Sequence, residues 1–217
     1  MQGTSTQTTS KVTRSLLTCG IIAAPIYTVV GLIQIFTREG FDITRHSLSL
    51  LSNGDLGWIQ ISNFLVTGLL TIAGALGIRR ALAGGRGRTW GPLLVGVYGL
   101  GLICAGLLVA DPALGFPPGT PDGPPVELTP HGLGHFVAGG VGFLALIAAC
   151  FVLARRFADL GERGWATYSV ATGVLFFAGF FGIAAGNQIP GVSLVFAVAV
   201  VIGWGWVSAV SARAMVK

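Results

Sequence analysis

Six long apolar stretches separated by short polar ones dominate the chain, at about 16–36, 59–78, 90–110, 131–153, 165–185 and 192–210. Each is close to the ~20 residues that a helix needs to cross ~30 Å of hydrocarbon. Lipid offers the backbone no hydrogen-bond partner, so a spanning segment of this length is helical. The pattern predicts an all-α membrane protein, a six-transmembrane-helix bundle. Residues 1–14 are expected to be a disordered tail, 15–212 the transmembrane domain and 213–217 a second short tail. Pro25 falls inside the first stretch and should kink it, whereas Pro92 and Pro190 fall near helix starts, where proline is tolerated.

Composition agrees with that pattern. Only 10% of the 217 residues are charged, against about 25% in a soluble domain. The chain has 34 glycines, and small residues let membrane helices approach closely. Gly134, Ala138 and Gly142 form one four-residue stripe; Ala178, Gly182 and Gly186 form another. Both are expected helix contacts. Cys19, Cys104 and Cys150 each lie in an apolar run and read as small buried residues, not disulfide partners. The apolar run follows Cys19 instead of preceding it, so neither a lipoprotein nor a cleaved signal peptide is expected. No three-plus-three inverted repeat of the transporter kind is visible.

The basic residues orient the bundle. With the N-terminus inside, 11 of the 13 fall on the inner side and only Arg38 and Arg45 on the outer. The positive-inside rule then places both termini in the cytoplasm, as in a multi-pass plasma-membrane protein. Trp90, Trp165 and Trp206 near inner ends, and Trp58 near an outer end, fit interfacial belts. The sequence pI of 9.6 does not imply nucleic acid, because the charges sit in short clusters between apolar runs.

Two outer loops break the monotony. In 38–57 the spacing predicts a short helix over 43–52, with Asp42 as its N-cap and Gly54 just beyond its end. Asp42, His46, Ser49 and Asn53 would share one face. The second loop, 111–130, holds seven of the ten prolines and cannot be helix or central strand. It is expected to be a stiff cap over the outer mouth.

The run Arg45-His46-Ser47-Leu48-Ser49-Leu50-Leu51-Ser52-Asn53-Gly54, then Gly57-Trp58-Ile59-Gln60, reads as a signature. Asp111-Pro112 and the pair His131 and His135 read as its remainder. Together these resemble the bacterial membrane family catalogued as domain-of-unknown-function 998, over about 15–210. The resemblance implies a six-helix bundle and carries no activity.

All three histidines, with Asp111, Gln34, Gln60, Asn63, Asn187 and Gln188, are predicted toward the outer side. Ionisable groups at membrane depth are costly and usually face an interior or a cavity. The candidate pocket is therefore His46, Ser49, Gln34, Gln60, Asn63, Asp111, His131, His135 and Asn187. Its expected ligand is a lipid-like or isoprenoid small molecule, alongside membrane lipid itself. The same residues also fit structural roles: interhelical glue for the amides, a water boundary for Asp111. A second reading is a metal-dependent hydrolase. His131 and His135, one turn apart, would join His46 and Asp111 around a divalent ion such as zinc. That chemistry resembles the seven-helix membrane hydrolases related to alkaline ceramidases. A lone His-x-x-x-His is a weak motif, and no Glu follows its first histidine. A third reading is metal-free acid–base catalysis by Asp111 and His135. A fourth is a non-catalytic module that stabilises a partner. Haem is disfavoured, since histidines i and i+4 on one helix cannot supply both axial ligands. There is no P-loop, no nucleophile elbow around Ser47, Ser49 or Ser52, and no ionisable residue at mid-membrane for active transport. Thr67, Thr71 and Thr172 are only mildly polar.

Overall fold

A computed structural model describes residues 10–186, 189 and 191–216. Its long helices are α1 (Lys11–Thr37), α2 (Gly57–Ala81), α3 (Trp90–Leu107), α4 (Pro130–Asp159), α5 (Arg163–Gly186) and α6 (Val192–Met215). All six are long and apolar enough to cross a membrane. The chain is a polytopic membrane protein. Several helices outrun the apolar stretches. α1 begins at Lys11, inside the expected tail, with the Ser10 hydroxyl accepting from the Thr13 amide at 3.3 Å. It continues through Pro25. α4 runs to Asp159 and α6 to Met215, because charged residues on a helix end can reach water without leaving the helix. Asn187, Gln188 and Pro190 lie outside the described residues.

The helices form a ring. Each packs on its neighbours in sequence, and α6 closes back onto α1. Glycine makes the closest seams. A Cβ on Gly74 of α2 would lie 2.6 Å from the Gly20 Cα of α1. One on Gly68 would lie 2.7 Å from the Gly99 carbonyl oxygen of α3, and one on Gly101 of α3 would lie 2.9 Å from Gly142 on α4. The Gly134/Ala138/Gly142 stripe is thus the α3–α4 contact. The α5 stripe is not a contact in the same way, because Ala178 is exposed. α5 is wedged between α4 and α6 and uses Gly173 against Cys150 and Gly179 against Ala199. The three cysteines are free, and only Cys150 is fully buried.

The two ends of the ring are built differently. At the basic end, the Arg156 guanidinium donates to the carbonyls of Ala83, Gly84 and Arg86 at 2.8–2.9 Å, fixing the α2–α3 turn. Arg213 pairs with Glu162 and lies over the rings of Phe157 and Trp165. Trp206 is not a belt residue: it is fully buried and donates to the Ser169 hydroxyl at 2.9 Å. Trp58 and Trp90 are exposed at opposite ends. The other end carries a folded cap made from 38–56 and 111–129. Leu50, Leu51, Ala110, Ala113 and Phe116 form its own small core.

The predicted helix over 43–52 is not formed. Asp42 instead makes a turn, its carboxylate accepting from the Thr44 amide and hydroxyl at 2.8 and 2.7 Å. Those bonds, the hydroxyl's first, hold the Asp42 carboxyl below its ordinary value. A 3₁₀ turn, Leu48–Ser52, follows, and Gly54 then takes a left-handed conformation at φ 73°. The single expected face of Asp42, His46, Ser49 and Asn53 is therefore absent.

Candidate functional site

The cap fixes most of the polar residues that it contains. Arg38 donates to the carbonyls of Leu51 and Asn53 at 2.9 and 2.5 Å and faces the Phe116 ring. Burial pulls its guanidinium below the ordinary value, and Asp55 opposes the shift. His46 is buried between Phe41 and Phe116. Its Nδ1 accepts from the Asp42 amide at 2.9 Å, so its Nε2 carries the proton and donates to the Leu114 carbonyl at 2.9 Å. Both ring nitrogens are consumed in pinning the lid to the turn. Leu114 adopts φ 59°, a left-handed conformation unfavourable for leucine, and His46 holds it there. Arg45 and Asp122 add a 3.0 Å surface ion pair between the same two segments.

Asp111 and His135 lock α3 to α4 reciprocally. The Asp111 carboxylate accepts from the Thr129 hydroxyl and amide at 2.6 and 3.0 Å, and Thr129 in turn caps α4 by accepting from the Gly132 amide at 3.0 Å. The carboxylate lies so close to Gly132 that any Cβ there would overlap it. An anion belongs at a helix N-terminus. From the other side, His135 reaches the C-terminal end of α3. Its Nδ1 lies 2.9 Å from both the Ala105 and Leu108 carbonyls, which makes Nδ1 the donor and satisfies oxygens that a helix end leaves unpaired. Nε2 has no hydrogen-bond partner among the described residues.

That ring lines a cavity of about 420 Å³ at the centre of the cap half of the bundle. All six helices contribute to its wall. Its floor is Tyr98 and Tyr27, both packed on the buried Trp204 at ring distances of 5.4 and 4.9 Å. Phe143, Phe180 and Phe196 form one side, about the 5.4 Å separation of an edge-on aromatic cluster. Ser47, Ser49, Leu114 and Pro125 form the roof. Two features are unusual. The Tyr98 hydroxyl is fully buried and has no hydrogen-bond partner. And α4 and α5 pack less tightly at this level: a Cβ on Gly140 would make an ordinary contact with Phe180 at 3.9 Å, whereas deeper in the seam one on Gly173 would be 3.1 Å from Cys150. The lining residues Phe136 of α4 and Ala184 of α5 are exposed, as is Pro124 in the cap.

Of the residues expected to line a pocket, Ser49, Asp111 and His135 lie in the cavity wall. Gln34, Gln60 and Asn63 do not; they are glue between α1 and α2. Gln34 donates to Gln60 at 2.8 Å, and Asn63 to the Tyr27 carbonyl at 3.2 Å. His46 is held in the cap, and His131 is exposed in the first turn of α4. Asn187 lies outside the described residues. The four-ligand metal site is not formed, and among the described residues no three His, Cys, Asp or Glu side chains gather around a point. The reason is geometric: the polar groups of His46, Asp111 and His135 Nδ1 turn toward backbone, and His131 turns outward. Nor do Asp111 and His135 pair directly, so the acid–base couple is also absent. Sequence reasoning missed Tyr98 and Tyr27. The signal was there: tyrosine favours the membrane interface, and both lie well inside spans.

No curated protein and no solved structure matches this chain. The family described as "Protein of unknown function (DUF998)" matches residues 21–213, nearly the whole bundle, and the chain belongs to that family.

Proposed function

We propose that the cavity is a binding site for an amphipathic, lipid-like small molecule that arrives from the bilayer through the gap between α4 and α5. The observation that carries this reading is the composition of the wall. It is apolar and aromatic, with a few convergent polar atoms, as ligand sites generally are. Its volume of about 420 Å³ suits a small molecule or a single chain. The exposed lining residues Phe136 and Ala184 belong to helix faces that meet hydrocarbon, which favours access from lipid. His135 and the roof residues Ser47, Ser49 and Arg45 supply the polar contacts; Asp111 holds the wall together. The cap, pinned through His46 and Arg38, closes the aqueous side. The bundle is oriented in the plasma membrane with both termini cytoplasmic and the cap outside, as the 11-to-2 division of basic residues favours.

Photo-crosslinking in native membranes tests the site. Phe180→p-benzoylphenylalanine, irradiated and analysed by mass, should capture one dominant lipid-class molecule. The lipid-facing control Leu69→p-benzoylphenylalanine should capture the bulk mixture. The same mixture at both positions, or no adduct at Phe180, would sink the reading. Orientation is tested separately, in a chain with Cys19, Cys104 and Cys150 changed to alanine. Asp122→Cys should react with an impermeant maleimide on intact cells and Arg86→Cys should not; the reverse would invert the topology.

A further inference from the structure

We infer that the cap is an acid-sensitive latch: proton uptake by His46 releases the tip of the lid, residues 113–115, from the turn at 42–46 and opens the cavity on its capped side. His46 is 2% exposed, and its two ring nitrogens have fixed, opposite roles. Nδ1 faces the Asp42 amide at 2.9 Å, a group that can only donate, so this nitrogen is bare. Nε2 faces the Leu114 carbonyl at 2.9 Å, which can only accept, so that nitrogen carries the hydrogen. The arrangement has no place for a second proton. A hydrogen on Nδ1 would point at the hydrogen of the Asp42 amide. The ring would then have to turn, and Nε2 would leave Leu114.

What the ring holds is part of the cavity roof. Ala113 and Leu114 line the cavity from the lid, and Ser47 lines it from beside His46. Leu114, alone among the described non-glycine residues, has a positive φ, at 59°, so its backbone relaxes once the bond is lost. The Arg45–Asp122 pair also joins turn and lid, but both side chains are more than half exposed, and such pairs contribute little. Phe116 is fully buried in the cap's own core, which confines the release to the tip. Charges of both signs surround the ring. The Asp42 carboxylate, on the same turn, favours an added proton. Arg45, the preceding residue, and Arg38, 5.4 Å from the centre of the Phe116 ring, oppose it. Asp122 of the lid is paired with Arg45. Gly191 and Ser193 at the start of α6 bond to the Thr44 and Arg45 carbonyls and bring no charge. Because the closed latch accepts only the neutral ring, its stability is full while His46 is neutral and is lost as pH falls and the ring charges.

The chain has three histidines, so ring nitrogen-15 spectra of the full-length protein in detergent resolve His46, assigned by comparison with His46→Gln. Amide exchange is followed in the same samples at Leu114 and Gly115, whose amides bond the Gly123 and Pro121 carbonyls within the lid. Both are read from about pH 8 to about pH 5, the range in which histidine changes charge, with exchange expressed as protection relative to an unstructured peptide. Protection should fall about tenfold, which corresponds to one hydrogen bond of ordinary strength. The fall should track the conversion of His46 from the Nε2–H ring to imidazolium, while amides in the middle of α2 stay unchanged. Glutamine offers an acceptor and a donor but does not titrate, so His46→Gln should show no fall. A ring that charges without loss of protection, protection lost while the ring is still neutral, or a ring still neutral at the acid limit overturns the latch. A fall that persists in His46→Gln overturns it too. No ligand enters the measurement, so its failure leaves the lipid site standing.

Discussion

The α1–α2 seam and the cap half of the α4–α5 seam are both lined with glycine, and they do opposite things. At Gly20 and Gly74 the missing side chains let two backbones touch, and any Cβ would meet main chain at about 3 Å or less. At Gly140 an added Cβ would make only an ordinary contact with the Phe180 ring of α5 at 3.9 Å, and at Gly139 with Phe143 of α4 itself at 4.0 Å. Here the glycines leave the packing loose. The polar groups differ as well: the amides of Gln34, Gln60 and Asn63 bond at the closed seam, whereas His135 lines the cavity behind the looser one. A small-residue stripe therefore marks either a contact or a void, and only the neighbours decide which.

Substitutions at the two seams should separate these roles. The largest effect belongs to the closed seam. Gly74→Val places a branched side chain on the Gly20 backbone, and overpacking of this kind should destabilise by about 3 kcal/mol; a thermal melt in detergent reads it. Gly140→Leu should do the reverse. The side chain enters the cavity, so the melt should move by less than about 1 kcal/mol, while any lipid captured at Phe180 is lost. Tyr98→Phe removes a buried hydroxyl that has no partner and should raise the stability of the ligand-free protein by about 1 kcal/mol. Arg45→Gln breaks an exposed ion pair and should change stability by less than about 1 kcal/mol. The smallest effect is acid dependence of the cap. Because the Asp42 carboxyl is held below its ordinary value, its contribution is present above the usual carboxylate range. It is lost as pH falls through the lowered value, which amide exchange at Thr44 would report.

The spans were legible because twenty-residue apolar runs have one solution in lipid. The cap was less so. The 43–52 segment carries a helical spacing, but Asp42 and Thr44 bond locally and His46 Nδ1 takes the Asp42 amide, and such side-chain bonds compete with a helix. The expected metal set failed for a related reason. Spacing put His131 and His135 on one side of α4, but it could not show that Nδ1 of His135 closes off α3 or that His46 has both nitrogens engaged. Asp111, singled out as a pocket and metal candidate, holds the start of α4 through Thr129 instead of pairing with a histidine. Tyr98 was overlooked because one phenol in an apolar run looks like core; its meaning depends on having no partner, which only three dimensions reveal.

Entry of lipid between α4 and α5 into the cavity is tested most directly by native mass spectrometry of the chain as purified, with nothing added, wild type beside Gly140→Leu. A single lipid-class adduct on the wild type, absent from an equally stable Gly140→Leu, is the predicted result. The same adduct pattern on both proteins would contradict it.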